Sequence, residues 1–197
     1  MGQQQKTIAL NIKDQNIFFT SDLHFSHANI IKYCDRPFYS AGEMDAAMIA
    51  NWNNVVGEED VVFILGDFCF GSTQTWLHFL RRLNGKKYLT QGNHDKGIPV
   101  TELVFVYPLM NLWIKGDDEI SDGQRITCCH YPMLSWYQSH RGSWQLYGHV
   151  HGRLSNKNVK ESSITPNQLD VGVDVHNFTP ISYEQVKTII TKQNLNK

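Results

Sequence analysis

Five polar stretches carry most of the side chains able to do chemistry. They are Asp22-Leu23-His24, Gly66-Asp67, Gly92-Asn93-His94-Asp95, the single His130, and Gly148-His149-Val150-His151. Imidazole and carboxylate groups suit zinc, manganese, iron, cobalt or nickel. Eight such positions (Asp22, His24, Asp67, Asn93, His94, His130, His149, His151) are too many for one ion. Two ions about 3.5–4 Å apart, sharing a bridging carboxylate, would use most of them. His149 and His151 are two positions apart, as are Asp22 and His24, so an extended backbone aims both members of each pair to one side. Each stretch alone has an ordinary structural reading. A lone histidine is commonly satisfied by a backbone carbonyl, and a lone Gly-Asp is commonly a turn. A metal site requires that the fold bring them together.

The elements that must position them are legible. Ile17 to Thr20, Val61 to Leu65 and Lys86 to Thr90 read as strands, each ending at one of these stretches. Between them, Ser40-Ala41-Gly42-Glu43 reads as a capping box for a helix with Met44, Met48, Trp52 and Val55 on one face. Ser72 to Leu83 reads as a second helix, with Trp76, Phe79, Leu80 and Leu83 inward. Strand–helix alternation predicts an α/β fold with parallel pairing, in which sites lie beyond the carboxyl ends of strands. The second half predicts a second sheet with antiparallel character: strands at 103–107, 111–114, 125–129, 144–147 and 169–175, with Asp122-Gly123 as a hairpin signal. A short first strand fits Ile8, Leu10 and Ile12, residues 154–167 read as a loop, and Ser182-Tyr183-Glu184-Gln185 caps a last helix.

The 197 residues are expected to form a single domain, 1–197. A formal net charge of -1, with 19% charged residues, predicts no extended nucleic-acid face and no membrane partner. Cys34, Cys69, Cys128 and Cys129 form no C-x-x-C pattern, and read as small buried groups in a reducing compartment. With a polar N-terminus and no long apolar run, the expected location is cytoplasmic.

The ordered set from Asp22 to His151 resembles the five-block signature of the calcineurin-like metallophosphoesterases, over roughly residues 17 to 151. Within that superfamily, Ser21 to His27 resembles the small bacterial and phage phosphoesterases. The resemblance implies a sandwich of two mixed β-sheets flanked by helices. It implies two divalent ions (Mn, Zn, Fe, Ni or Co): one on Asp22, His24 and His151, the other on Asn93, His130 and His149, with Asp67 bridging. The implied reaction is hydrolysis of a phosphate ester by a hydroxide shared between the ions. His94 resembles the histidine that protonates the leaving oxygen, and imidazole titrates in the range that suits this role. Asp95 would orient the His94 ring, or else stabilise the turn.

Substrate selection falls to residues outside the ligand set. Candidates are His27, Arg36 and Arg141, with His140 beside the last. Trp136, Tyr137 and Trp144 either wall a pocket or pack in the core. His78 and His176 read as structural or exposed. The leading function is a metal-dependent phosphoesterase acting on a small phosphorylated substrate, with a diester favoured and a nucleotide-type substrate one candidate. The alternatives are a phosphomonoesterase, a nuclease, and a metal-bearing interaction module without turnover.

Overall fold

The computed structural model describes residues 7–154 and 164–195. Residues 155–163, the greater part of the expected 154–167 loop, lie outside the described residues. Two five-stranded mixed sheets pack face to face. One runs, in spatial order, β10 (Ile181–Ser182), β2 (Ile17–Thr20), β3 (Val61–Ile64), β4 (Lys86–Thr90) and β5 (Phe105–Tyr107). The other runs β1 (Thr7–Asn11), β6 (Leu109–Lys115), β7 (Gln124–Cys129), β8 (Trp144–Tyr147) and β9 (Gln168–Asp170). Four helices accompany them among the described residues: α1 (Ala28–Tyr33), α2 (Ala41–Val55), α3 (Thr73–Leu80) and α4 (Tyr183–Leu195).

The unbroken apolar runs of β2 and β3 follow from burial on both faces. Phe18, Val62 and Ile64 join Met44, Met48, Trp52, Trp76 and Phe79 in the layer beneath α2 and α3. Their neighbours Ile17, Phe19, Val61 and Phe63 point the other way, into the core between the sheets with Leu112, Ile126 and Leu146. Val186 and Ile190 of α4 join that second core. The caps hold as their chemistry requires. Ser40 Oγ accepts from the Glu43 N–H at 3.2 Å, although the Glu43 carboxylate reaches back to Tyr39 N–H (2.8 Å) and not to Ser40. At α4 the box is reciprocal: Ser182 N–H donates to Gln185 Oε1 at 2.8 Å, and Gln185 N–H to Ser182 Oγ at 3.3 Å.

Strands β2 to β4 are parallel, as the first half predicts. β5, expected in the second sheet, instead joins the first, parallel to β4. The second sheet is less antiparallel than its short strands suggest. Only β6 and β7, joined across Asp122-Gly123, pair antiparallel; β1–β6, β7–β8 and β8–β9 are parallel. The expected strand over 169–175 also stops early, at Asp170. Asp170 Oδ1 accepts the N–H of Gly172 at 2.8 Å, an Asx-type turn that bends the chain, and Val173–Val175 forms a 3₁₀ turn. Gly172 then makes an isolated parallel bridge to Ser21, linking the ends of β9 and β2. The two sheets thus meet at their carboxyl ends. No helix among the described residues is long and apolar enough to cross a membrane.

Candidate metal centre

The five polar stretches converge at this junction. Asp22 and His24 follow β2, Asp67 follows β3, Asn93 and His94 follow β4, His130 follows β7, and His149 and His151 follow β8. The loops are held in uncommon conformations. Asp22, His24, Asp67, His149 and His151 have φ of 57°, 52°, 53°, 71° and 49°. Left-handed backbone costs a non-glycine residue roughly 1–3 kcal/mol, so surrounding contacts must enforce it. They do: Asp22 N–H donates to Gly66 O at 3.0 Å, His24 N–H to Asp67 O at 2.9 Å, and His149 N–H to Asp22 Oδ2 at 2.9 Å. The approach of the loops explains two glycines. A Cβ on Gly148 would strike Ser21 Oγ and the Asp22 carboxylate, and one on Gly66 would lie 2.5 Å from His130 Nδ1.

The side chains form two triplets. Ligand atoms of Asp22, His24 and His151 lie within 4.8 Å of one another, and so do those of Asp67, His130 and His149. Asp67 links them, because its Oδ2 stands 3.5 Å from His24 Nε2 and 3.4 Å from His130 Nε2. Asn93 Oδ1 lies 3.1 Å from His130 Nε2. Asp67 Oδ1 accepts the His94 N–H at 2.9 Å, and the exposed His94 ring sits with its centroid 5.4 Å from that of His24.

This donor set fits divalent cations. His24 Nε2 is buried without a hydrogen-bond partner, a cost that coordination would remove. Burial pushes the Asp22 carboxyl up to about 7 and the His24 imidazole down to about 3, so His24 offers a neutral lone pair. Burial also opposes charge on Asp67, but the hydrogen bond and charge of His130 outweigh it and hold the carboxyl at about 2. His151 shows the same contest with the opposite sign. Desolvation lowers it, yet the Asp174 hydrogen bond, with Cys34 and Asp22, raises it to about 10.

Residues 15–153 match the family model of the calcineurin-like phosphoesterases. The chain belongs to that family. It is a phosphoesterase by descent, and the family generally uses divalent metals. An uncharacterized protein of Methanocaldococcus jannaschii is 34% identical over 184 residues, covering 90% of this chain and 93% of that one. The gene 66 protein of Mycobacterium phage D29 is 29% identical, covering 84% of this chain and 92% of that one. A crystal structure of a protein of unknown function from Aquifex aeolicus shares the fold, with a TM-score of 0.66 over 89% of this chain and 99% of that chain at 24% identity.

Other positions in this phosphoesterase lie where the sequence alone did not put them. Asp95 is not hydrogen-bonded to the His94 ring. Its carboxylate takes the N–H groups of Gly92 (2.8 Å), Asp67 (2.9 Å) and Phe68 (2.9 Å), tying the β3 loop to the β4 loop, so the turn-stabilising alternative is the one realised. Arg36 does not face solvent. It is buried, and all five of its N–H groups are taken up by Asp174, the carbonyls of Asp22 and Leu23, and Met44 Sδ. Arg141 is at the wrong end of the sheet. Parallel pairing of β7 and β8 forces their connection back to the start of β7, so Arg141 lines a cleft of about 690 Å³ with Trp113, Arg125 and Gln124. That end lies roughly 20 Å along β7 from His130; His140 precedes it on the same exposed turn. His27 does adjoin the site: its Nδ1 lies 3.3 Å from His24 Nδ1 and its ring stacks on Phe70 at 4.5 Å. Trp136 and Trp144 are buried packing residues, Trp144 stacking on Tyr183, while Tyr137 is exposed. His176 is structural, its Nε2 2.8 Å from Asp170 O, and His78 is exposed on α3.

Asp170 and Asp174, which the sequence does not single out, also serve the site. Asp170 accepts the Gly152 N–H at 2.9 Å and so fixes the loop that carries His149 and His151. Asp174 accepts from His151 Nδ1 at 2.7 Å. Their signal was the polar alternation in Leu169-Asp170-Val171-Gly172-Val173-Asp174, which reads equally as a strand.

Proposed function

We propose that this phosphoesterase hydrolyses a small phosphodiester at a two-cation centre, with Asp22, His24 and His151 holding one divalent ion, Asn93, His130 and His149 the other, and Asp67 reaching both. The observation that carries this reading is the Asp67 carboxylate, whose Oδ2 stands 3.5 Å and 3.4 Å from imidazole nitrogens of the two separate triplets. Bound cations of this kind lower the pKa of water into the neutral range and offset negative charge on phosphate. The chain supplies the rest. Asp67 Oδ1 fixes the backbone of His94, and the exposed imidazole is free to pass a proton to the leaving oxygen. Buried Asp95 keeps the β3 and β4 loops in register, so that His94 stays beside the phosphate position.

A diester is favoured over a monoester because a monoester dianion calls for further cationic donors. Neither Arg36, whose donors are committed, nor Arg141, at the far end of β7, presents a guanidinium here. Exposed Phe70, Tyr33 and Tyr131 rim the site and offer faces to a planar ester group, as a nucleotide-type substrate carries. Manganese, zinc, iron, cobalt and nickel all suit the donors.

The test is hydrolysis of bis(p-nitrophenyl) phosphate and p-nitrophenyl phosphate, side by side, by chelator-stripped protein with each metal restored. Metal-restored turnover of the diester, lost in His94→Asn, is the expected result. Preference for the monoester makes the protein a phosphatase. Two bound cations with no turnover of either ester would return the interaction-module reading. Salt-sensitive competition by random DNA would favour a nuclease.

A further inference from the structure

Arg36 and Asp174 stand 138 residues apart in sequence and meet behind only one of the two ligand triplets. The guanidinium holds Asp174 in a fork, Nε to Oδ1 at 2.8 Å and Nη2 to Oδ2 at 2.9 Å. The same Asp174 Oδ2 accepts from His151 Nδ1 at 2.7 Å. That bond fixes the proton on Nδ1 and turns Nε2 toward Asp22, whose Oδ1 is 4.0 Å away. The remaining donors of Arg36 grip the strained segment that bears the other two members of the triplet. Nη2 donates to Asp22 O at 2.7 Å and Nη1 to Leu23 O at 3.0 Å, where Asp22 and His24 both have positive φ. One buried cation therefore touches the supports of Asp22, His24 and His151 together. The second triplet rests mainly on other supports, His130 Nδ1 on Leu65 O at 2.7 Å and Asp67 on the His94 N–H; its one tie to the first is the His149 N–H on Asp22 Oδ2 at 2.9 Å.

Cys34, His151 and Asp174 also lie within 4.8 Å of one another, which would suit a softer metal. Both Asp174 oxygens already accept from Arg36, so a cation there would sit against a guanidinium. The cluster serves His151 and is not a third ion site.

We propose that Arg36 and Asp174 are a positioning pair that sets the affinity of the Asp22–His24–His151 cation position and leaves the Asn93–His130–His149 position alone. This rests on the two-cation reading above. The test titrates Co²⁺ into chelator-stripped protein by calorimetry, with the visible spectrum of bound cobalt recorded in parallel. Wild type should bind two ions per chain. Asp174→Ala should weaken one of them by about 10–100-fold and leave the other within about twofold. Asp174→Asn, which can still accept from Nδ1–H, should weaken it less. In a His151→Ala background, Asp174→Ala should add no further loss. Equal weakening of both ions, no weakening, or a full additional loss in the His151→Ala background overturns the positioning role. Failure of wild type to bind two ions overturns the two-cation reading, and is seen before any variant is compared. Thermal unfolding of the metal-free variants separates a misfolded chain from a loosened ligand.

Discussion

Asp67→Asn tests the centre at its hinge. Asparagine keeps the oxygen that accepts the His94 N–H, so the β4 loop keeps its anchor. The other oxygen, between His24 Nε2 and His130 Nε2, becomes a neutral NH₂ donor. In metal-free protein the cost can be worked out. The folded carboxyl is held at about 2 against an ordinary 3.8, chiefly because the hydrogen bond and charge of His130 outweigh desolvation. A depressed carboxylate contributes stability above its unfolded pKa and loses it as pH falls through its folded pKa. That difference is about 2 kcal/mol at neutral pH. For a chain of this length it should lower Tm by roughly 4–8 °C. Calorimetric scans of chelator-stripped parent and variant at pH 7 should show this gap, and it should close between pH 4 and pH 2. With metal restored, the loss is larger and of a different kind. Both cation positions should weaken, whereas His151→Ala should weaken one. Mass-spectrometric counting of metal per chain, alongside diester turnover, reads the difference. A variant that retains two cations and full turnover refutes the bridging role. A metal-free variant as stable as the parent at neutral pH refutes the electrostatic reasoning.

Four further outcomes are expected. His94→Asn should lower kcat about 10²–10⁴-fold while metal content stays unchanged, because His94 belongs to neither triplet. Chelator-stripped protein should lose stability as pH rises from 6.5 to 10. The raised His151 contributes stability below its unfolded pKa that is lost through about 10, and Asp22, raised by burial, acts in the same direction up to about 7. Urea denaturation at pH 6.5 and 9.5 measures it, and bound metal should remove the trend by replacing the protons. Gly148→Ala should cost about 1–3 kcal/mol and lower affinity at the Asp22 position, since its Cβ meets Ser21 Oγ and the Asp22 carboxylate; urea midpoints and metal counts report both. Phe70→Ala should raise KM for aryl and nucleoside esters more than for alkyl esters, with little change in kcat, as steady-state kinetics on matched substrates would show.

What could be read in the sequence were features whose physics is local. The runs Ile17 to Thr20 and Val61 to Leu65 declare two-sided burial by themselves, and Ser182 with Gln185 declares a helix start. The ligand residues were legible because each sits directly at a strand end, where open α/β sheets place their sites. The roles of Asp170 and Asp174 are not legible because alternation of polar and apolar residues is the same pattern whether a chain stays extended or bends at Gly172. The bend joins a local turn, Asp170 Oδ1 on the Gly172 N–H, to hydrogen bonds from Gly152, His151 and Arg36, which lie far away along the chain.

Arg36 shows the limit most clearly. An arginine before Pro37 looks like a solvated loop residue, and beside a phosphate site it looks like a substrate contact. Nothing within several residues of it says that a carboxylate at position 174 will cover it. Its burial becomes intelligible only from the other side. Asp22 and His24 adopt backbone conformations that non-glycine residues avoid, and their carbonyls need a donor that holds them there. A guanidinium supplies two such donors in a fixed plane and still carries a fork for Asp174. Strain at the ligands and burial of the arginine are therefore one fact seen from two positions. A lysine at 36 could satisfy a carbonyl or the carboxylate, but it lacks the rigid plane that holds both carbonyls and both Asp174 oxygens at once.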